Sequence, residues 1–307
     1  MNHVRETNIL KGIWPPILLE TGPDGRVRLD AVSAAVEYFA EKGVHGVYTA
    51  DTASEFYTLE FDEWEALATH FRAVTLEANL PAGIGCTWTN QAGIVRRIER
   101  ARALKFDNVH LSPPYWLPLN RPAEEKFWSA VALVAGDLPI VVYAGSRGQY
   151  ELTGEVLQRI RRSCPAIAAT KSLGFNAVAM NSLFVQSPDC SHFVHDQVLS
   201  LWGGLGAAGS FSNLACLCPA AILELYHAVT NRRWDDAFAL QRRINAFYQH
   251  GAVPIREAGY MLDKALAALG GVPGITREMR APYCAVPDEL YHTLCDAARR
   301  YLPECGL

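Results

Sequence analysis

The sequence predicts an α/β protein, a (β/α)8 TIM barrel carrying a C-terminal helical extension. Three observations predict it. Eight short apolar runs are spaced along the first two-thirds of the chain, amphipathic stretches of helical period lie between them, and the residues after Pro219 carry helical patterns with no further strand signal. The first run, 12–18, is followed by 29–42, where Val32, Ala35, Val36 and Phe39 form one apolar stripe. The second and third runs, 46–50 and 82–87, flank the helical segment 62–78. Segment 91–104 leads to the fourth run, 108–112, and segment 123–134 leads to the fifth, 140–144. Thr153 is suited to cap a helix over 153–162, ahead of the sixth run at 167–172. Runs 192–196 and 208–212 complete the eight. Most are too apolar for strands with one solvated face, which fits a parallel sheet covered on both sides. Eight strand–helix units favour a closed barrel over a doubly wound sheet. Residues 1–218 are read as the barrel. Residues 219–307 are read as helices packed on it, at 220–230, 234–250, 257–269 and 288–301.

Bulk properties narrow the function. Among 307 residues the net charge is −4 with no block of like charge, so neither a nucleic-acid surface nor a polybasic membrane patch is expected. No apolar stretch approaches the roughly 18 residues of a membrane span, and Met1 to Lys11 lacks the apolar core of a secretory signal. The eight cysteines are scattered without a CxxC pair, which argues against a disulfide framework and against zinc. A cytoplasmic protein with reduced cysteines is expected. The glycine-rich run Gly203 to Gly209 lacks the Lys-Ser/Thr ending of a phosphate-binding loop.

Active sites of such barrels lie at the C-terminal ends of the strands. Lysine is informative there because the chain has only six, against 22 arginines, and only Lys171 ends an apolar strand, Ile167-Ala-Ala-Thr-Lys171. Alternation predicts that Ile167, Ala169 and Lys171 share a face. Desolvation in an apolar mouth predicts a depressed pKa and a neutral amine able to attack a carbonyl. A buried lysine satisfied by a carboxylate is the competing expectation. Tyr143 ends the preceding strand, close enough to relay protons or simply to form part of the rim. The second strand runs into Thr49-Ala-Asp-Thr-Ala-Ser-Glu-Phe56, a turn whose hydroxyls and amides suit a carboxylate.

These residues resemble the dihydrodipicolinate synthase / N-acetylneuraminate lyase family of class I aldolases and dehydratases. Tyr143 stands at the family's strand-end tyrosine, and Lys171, 28 residues on, at its Schiff-base lysine. Ser112-Pro-Pro-Tyr-Trp116 is similar to the family's Pro-Pro-Tyr-Tyr segment. Gly206-Ala-Ala-Gly-Ser-Phe-Ser212 is similar to its Gly-x-x-Gly-x-Ile-Ser segment. The resemblance implies a Schiff-base lyase acting on a small 2-oxo acid, without metal or organic cofactor, assembled as a homotetramer. It implies Lys171, Tyr143 and Thr52 as the catalytic set. Substrate contacts are implied from Ala53, Ser54, Arg147, Phe211, Tyr115 and Trp116.

Departures from the family pattern bear on the substrate. The family's Gly-Thr-Thr-Gly-Glu turn is here Asp51-Thr-Ala-Ser-Glu55, Trp116 replaces a second tyrosine, and Tyr143 is followed by Ala-Gly-Ser-Arg147. These changes argue against dihydrodipicolinate synthase itself and point to the sugar-acid or aromatic-substrate branches. A non-catalytic 2-oxo acid sensor retaining the pocket is the alternative from another class. A metal-dependent hydrolase would draw on His110, His192, His195 and Asp196, but lacks a paired His-x-His at the first strand.

Overall fold

The computed structural model describes residues 10–143 and 151–307. Eight parallel strands form one sheet: β1 (Gly12–Ile13), β2 (Val47–Thr49), β3 (Ala82–Gly85), β4 (Asn108–Leu111), β5 (Ile140–Val142), β6 (Ile167–Lys171), β7 (Ser191–Phe193) and β8 (Gly209–Ser210). Their order is β1-β8-β7-β6-β5-β4-β3-β2. A parallel bridge between Pro16 and Tyr48, with Ile17 N donating to Tyr48 O at 2.7 Å, joins the two edges and closes the barrel. All eight predicted strands are present but shorter. Pro15 and Pro16 cut the first to two residues, because proline donates no ladder hydrogen bond. At the β1–β8 seam, Gly209 has φ +151°, and a Cβ there would meet Gly12 O at 1.9 Å, so a side chain is excluded on both counts.

Helices α1 (Leu29–Glu41), α2 (Phe61–Glu77), α3 (Gln91–Ala103), α4 (Arg121–Ala135) and α5 (Gly154–Ser163) surround the sheet close to where their stripes predict. Thr153 caps α5 by accepting from Val156 N, as expected. Helix α4 starts two residues ahead of the predicted 123, because Asn120 caps it and Pro122 is tolerated in the first turn. Three helices have no counterpart in the sequence reading, α6 (Ala177–Gln186), α7 (Leu199–Gly203) and the short α8 (Leu214–Leu217). In α6, Val178 and Val185 face outward while Ala179, Met180 and Leu183 are buried, so no single apolar stripe marks it.

After α8 (Leu214–Leu217), the extension comprises α9 (Pro219–Thr230), α10 (Trp234–Phe247), α11 (Val253–Glu257), α12 (Asp263–Leu269) and α13 (Asp288–Tyr301). A π-turn over Tyr248–Ala252 joins α10 to α11. The predicted helix 257–269 is interrupted at 258–262. Gly259 there has φ +83°, a conformation that ends α11.

The barrel interior is small and aromatic. Trp14, Tyr48, Val141, Ala169, Phe193 and Phe211 form one cluster, separate from the larger core between sheet and helices. Ile167 belongs to the larger core and Ala169 to the interior, so they do not share a face as alternation predicts. The reason is an irregularity in register: Ile140 pairs with Ile167, but the next residue, Val141, pairs with Ala169. The extra residue, Ala168, turns the rest of β6 over and aims Lys171 inward.

Candidate active site

Lys171 ends β6 at the mouth of the barrel, its side chain 13% exposed, and reaches across the lumen toward the end of β2. Its Nζ lies 2.8 Å from Asp51 Oδ2 and 3.3 Å from the Tyr48 hydroxyl. The rings of Tyr143 and Phe211 flank it, with centroids 4.4 and 5.7 Å from Nζ. Asp51 also accepts from His110 Nδ1 at 3.1 Å, and its second oxygen accepts from Thr52 N at 2.8 Å. Tyr48 stacks on His110 at 4.7 Å, completing a Lys171–Asp51–His110–Tyr48 group in which all but the half-buried Lys171 are buried.

The electrostatics reverse one expectation. Burial, the largest single influence, acts to lower the Lys171 pKa, but Asp51 together with Tyr48 and Tyr143 outweighs it, and the net shift is upward. Burial likewise acts to raise Asp51. Lys171 and His110 outweigh it and hold the carboxyl below the usual range. The resting pair is therefore ammonium and carboxylate. His110, pushed down by burial, is neutral and donates from Nδ1. Burial raises the Tyr48 phenol, which stays protonated.

The β2 turn that supplies Asp51 is tightly constrained. Ala50 and Glu55 have φ of +52° and +53°, the left-handed region that side chains disfavour. Gly85 allows it: a Cβ there would meet Ala50 O at 1.8 Å. At the far end of the turn, Glu55 is buried between Lys264 Nζ, at 3.5 Å, and the Arg280 amide, at 3.0 Å.

A cavity of about 500 Å³ opens above Lys171. Thr52, Ala53, Tyr143 and Phe211, four of the residues singled out from the sequence, line it. Three expected residues are placed elsewhere. Ser54 is buried, its hydroxyl donating to Ile17 O at 2.8 Å and its amide to Asp51 O at 3.0 Å, so it serves the turn and does not line the cavity. Tyr115 lines a smaller neighbouring cavity of about 210 Å³ with Phe56, Tyr57 and Tyr283. Trp116 is 81% exposed and lines neither cavity, because the segment after β4 carries it outward. Arg147 lies outside the described residues.

His195, Asn213, Arg256 and Asp263 line the same cavity and were not singled out as substrate contacts from sequence. Asn213 and Asp263 join through a 3.2 Å hydrogen bond, and burial pushes His195 down to about 4. The residues of the metal-hydrolase alternative are separately engaged. His192 bonds Thr170 Oγ1 and Ser187 O, both at 2.9 Å, and Asp196 accepts from Ser210 Oγ at 2.6 Å. Among the described residues, no three potential metal ligands cluster.

The fold and the site together define a closed (β/α)8 barrel with an ion-paired lysine at the C-terminal mouth of its sixth strand. The model of the dihydrodipicolinate synthetase family matches residues 9–300, and the chain belongs to that family. It is 24% identical over 292 residues to an uncharacterized DapA-like lyase of Pyrococcus furiosus, covering 93% of this chain and 95% of the relative. It is 26% identical over 262 residues to a 4-hydroxy-tetrahydrodipicolinate synthase of Methanosphaerula palustris, covering 81% of this chain and 88% of the relative. Among solved structures, the sialic acid aldolase of Ruminococcus gnavus superposes with a TM-score of 0.82 at 19% identity, covering 95% of this chain and 99% of the aldolase. A family member from E. coli K12 in complex with pyruvate gives 0.83 at 19% identity, covering 95% and 98%. Family membership makes this chain an aldolase-like lyase.

Proposed function

We propose that this protein is a Schiff-base-forming lyase acting on a small 2-oxo acid. The observation that carries the reading is Lys171, an amine at the floor of a large cavity, 2.8 Å from a buried carboxylate and beside Tyr143. Nζ attacks C2 of the oxo acid to give a carbinolamine, and loss of water leaves an iminium. That cation is the electron sink for cleavage of the C3–C4 bond or for elimination across it.

The ion pair requires a proton to leave Lys171 before attack, and Asp51 is in hydrogen-bond contact to take it. Once Lys171 is neutral, burial raises the Asp51 pKa, and the acid can return the proton as water departs. The carboxylate then faces the iminium nitrogen as its counter-ion. Tyr143, helped by Thr52, moves the proton at the bond that breaks, and the turn at Thr52 and Ala53 receives the substrate carboxylate. Phe211 lines the same cavity, its ring 5.7 Å from Lys171 Nζ. The chemistry draws on no metal or organic cofactor.

Borohydride reduction with pyruvate and a panel of longer 2-oxo acids tests the reading. The expected product is a reduced adduct mapping to the Lys171 peptide. Absence of adduct with every acid, or a label on another lysine, would sink it. The Lys171–Asp51 ion pair also favours a second reading, a non-catalytic protein that retains the pocket. Adduct formation without release of product from any 2-oxo-3-deoxy acid would select that one. Tyr143→Phe is expected to lower kcat by about 10²–10⁴, the usual contribution of a positioned acid–base group. Adduct formation should survive, and an unchanged kcat would remove Tyr143 from the proton path.

A further inference from the structure

Lys171 is neutralised by Asp51, whereas a second cation on the cavity wall is not neutralised in this way. Arg256, at the end of α11, lines the cavity beside the 258–262 interruption. Its guanidinium stands 5.5 Å from the Tyr248 ring, and among the described residues it forms no ion pair with a carboxylate. Asp263, on the same wall, is engaged by Asn213, and burial raises its pKa against the pull of Arg256 and Lys171. The charges of Arg256 and Lys171 both act on His195 as well. His195 and Asp263 thus lie within electrostatic reach of both cations, in a space far larger than the few heavy atoms of pyruvate.

We infer that Arg256 binds an acidic group at the far end of the substrate, so that the preferred substrates are 2-oxo acids bearing a second carboxylate. The inference rests on the Schiff-base reading for the near end of the ligand, where Lys171 takes the oxo carbon. At the far end a guanidinium offers a planar, permanently charged fork that matches a carboxylate in two hydrogen bonds. The polar groups of His195, Asn213 and Asp263 face the carbons between. With Asp51 already paired with Lys171, a ligand whose single carboxylate is held at the Thr52–Ala53 turn gives the Arg256 guanidinium no partner, and a second carboxylate at the far end supplies one.

The test compares 2-oxoglutarate with 2-oxopentanoate, and 2-oxoadipate with 2-oxohexanoate, pairs differing in whether the chain ends in a carboxylate or a methyl group. Half-saturation of borohydride-trapped adduct and, in parallel, calorimetric binding without borohydride are measured on the full-length protein. At least one dicarboxylate is expected to bind about tenfold or more tighter than its partner, in line with a charged hydrogen-bonded pair. That ratio should shrink with added salt, because Arg256 is exposed at the mouth. R256M should bring it close to one, and R256K should recover part of it. Adducts at Lys171 with no preference between the acids, or a preference that survives R256M, would overturn the Arg256 assignment and leave the Schiff base standing. An Arg256-dependent preference in calorimetry with no adduct would do the reverse. Neither adduct nor preference would overturn both.

Discussion

Asp51→Asn is expected to lower kcat by about 10²–10⁴ while making the first covalent step easier to trap at neutral pH. The two effects oppose because Asp51 does two things. As a carboxylate 2.8 Å from Nζ it raises the Lys171 pKa, so in the native protein the fraction of free amine climbs about tenfold per pH unit below that raised value. Internal transfer to Asp51 gives a basal rate indifferent to pH, and above it adduct formation should accelerate from pH 6 to pH 9 as the Lys171 proton is lost to solvent. In the amide variant the opposing charge is gone and burial prevails, pulling the lysine pKa down. The profile should move to lower pH and flatten. Turnover falls nonetheless, because no group at that position takes and returns the proton or balances the iminium. Rapid-quench borohydride trapping across pH, set beside steady-state rates, checks both parts. An unmoved pH profile would mean that Asp51 does not govern the lysine, and an unchanged kcat would deny it a role in proton transfer.

Lys264→Met should produce the largest loss of stability. Lys264 is 2% exposed, sits 3.6 Å from Glu20 and 3.5 Å from Glu55, and donates to Glu278 O. Removing the cation leaves two buried acids facing each other. Breaking a buried ion pair from one side typically costs about 3–5 kcal/mol. For a chain of this size the melting temperature should fall by roughly 5–8 °C. The pH dependence distinguishes uncompensated charge from lost packing. Burial already raises the Glu55 pKa in the native protein. An acid whose folded pKa lies above its unfolded value favours folding as pH falls. The deficit of the variant should therefore shrink between pH 8 and pH 5, as the stranded carboxyls take up protons. A drop of only a degree or two by calorimetry, or a deficit indifferent to pH, would show that the acids are solvated or otherwise balanced.

The barrel was legible because its strands are buried on both faces and therefore read as uninterrupted apolar runs. Lys171 was legible for the same reason: a charged residue closing such a run stands out. What surrounds Lys171 was harder to read. Neighbouring strands can be inferred from their order, which is how Tyr143 was placed beside it. Asp51 comes from β2, which in the strand order lies across the lumen from β6, and a long side chain spans the gap. Nothing in local periodicity signals contacts across a barrel. The one available signal was an acid where the family's turn has glycine. The direction of the lysine pKa followed from that omission: desolvation was visible in the apolar strand, and its counter-charge was not. The extra residue in β6 defeated alternation in a similar way, since Ile-Ala-Ala-Thr-Lys carries no mark of where the register slips. Ser54 and Trp116 show the limit of motif matching, which places a residue along the chain without fixing whether its side chain points into the scaffold, into the cavity or out to water.

The interruption at 258–262 separates two kinds of constraint on this chain. The strand ends that hold Lys171, Asp51 and Tyr143 are fixed by sheet register, left-handed backbone at Ala50 and Glu55, and a glycine that admits no Cβ, so they tolerate little change. The stretch over the mouth answers to none of these. It is a short irregular loop between two helix pieces, and loops of that kind accept substitution and changes of length. Because Gly259, Tyr260, Met261 and Leu262 all border the cavity, altered diet and conserved chemistry can be inherited separately. On the Schiff-base reading, a lineage could exchange one acid for another by rewriting a few residues late in the chain, with the reaction proposed at its floor untouched.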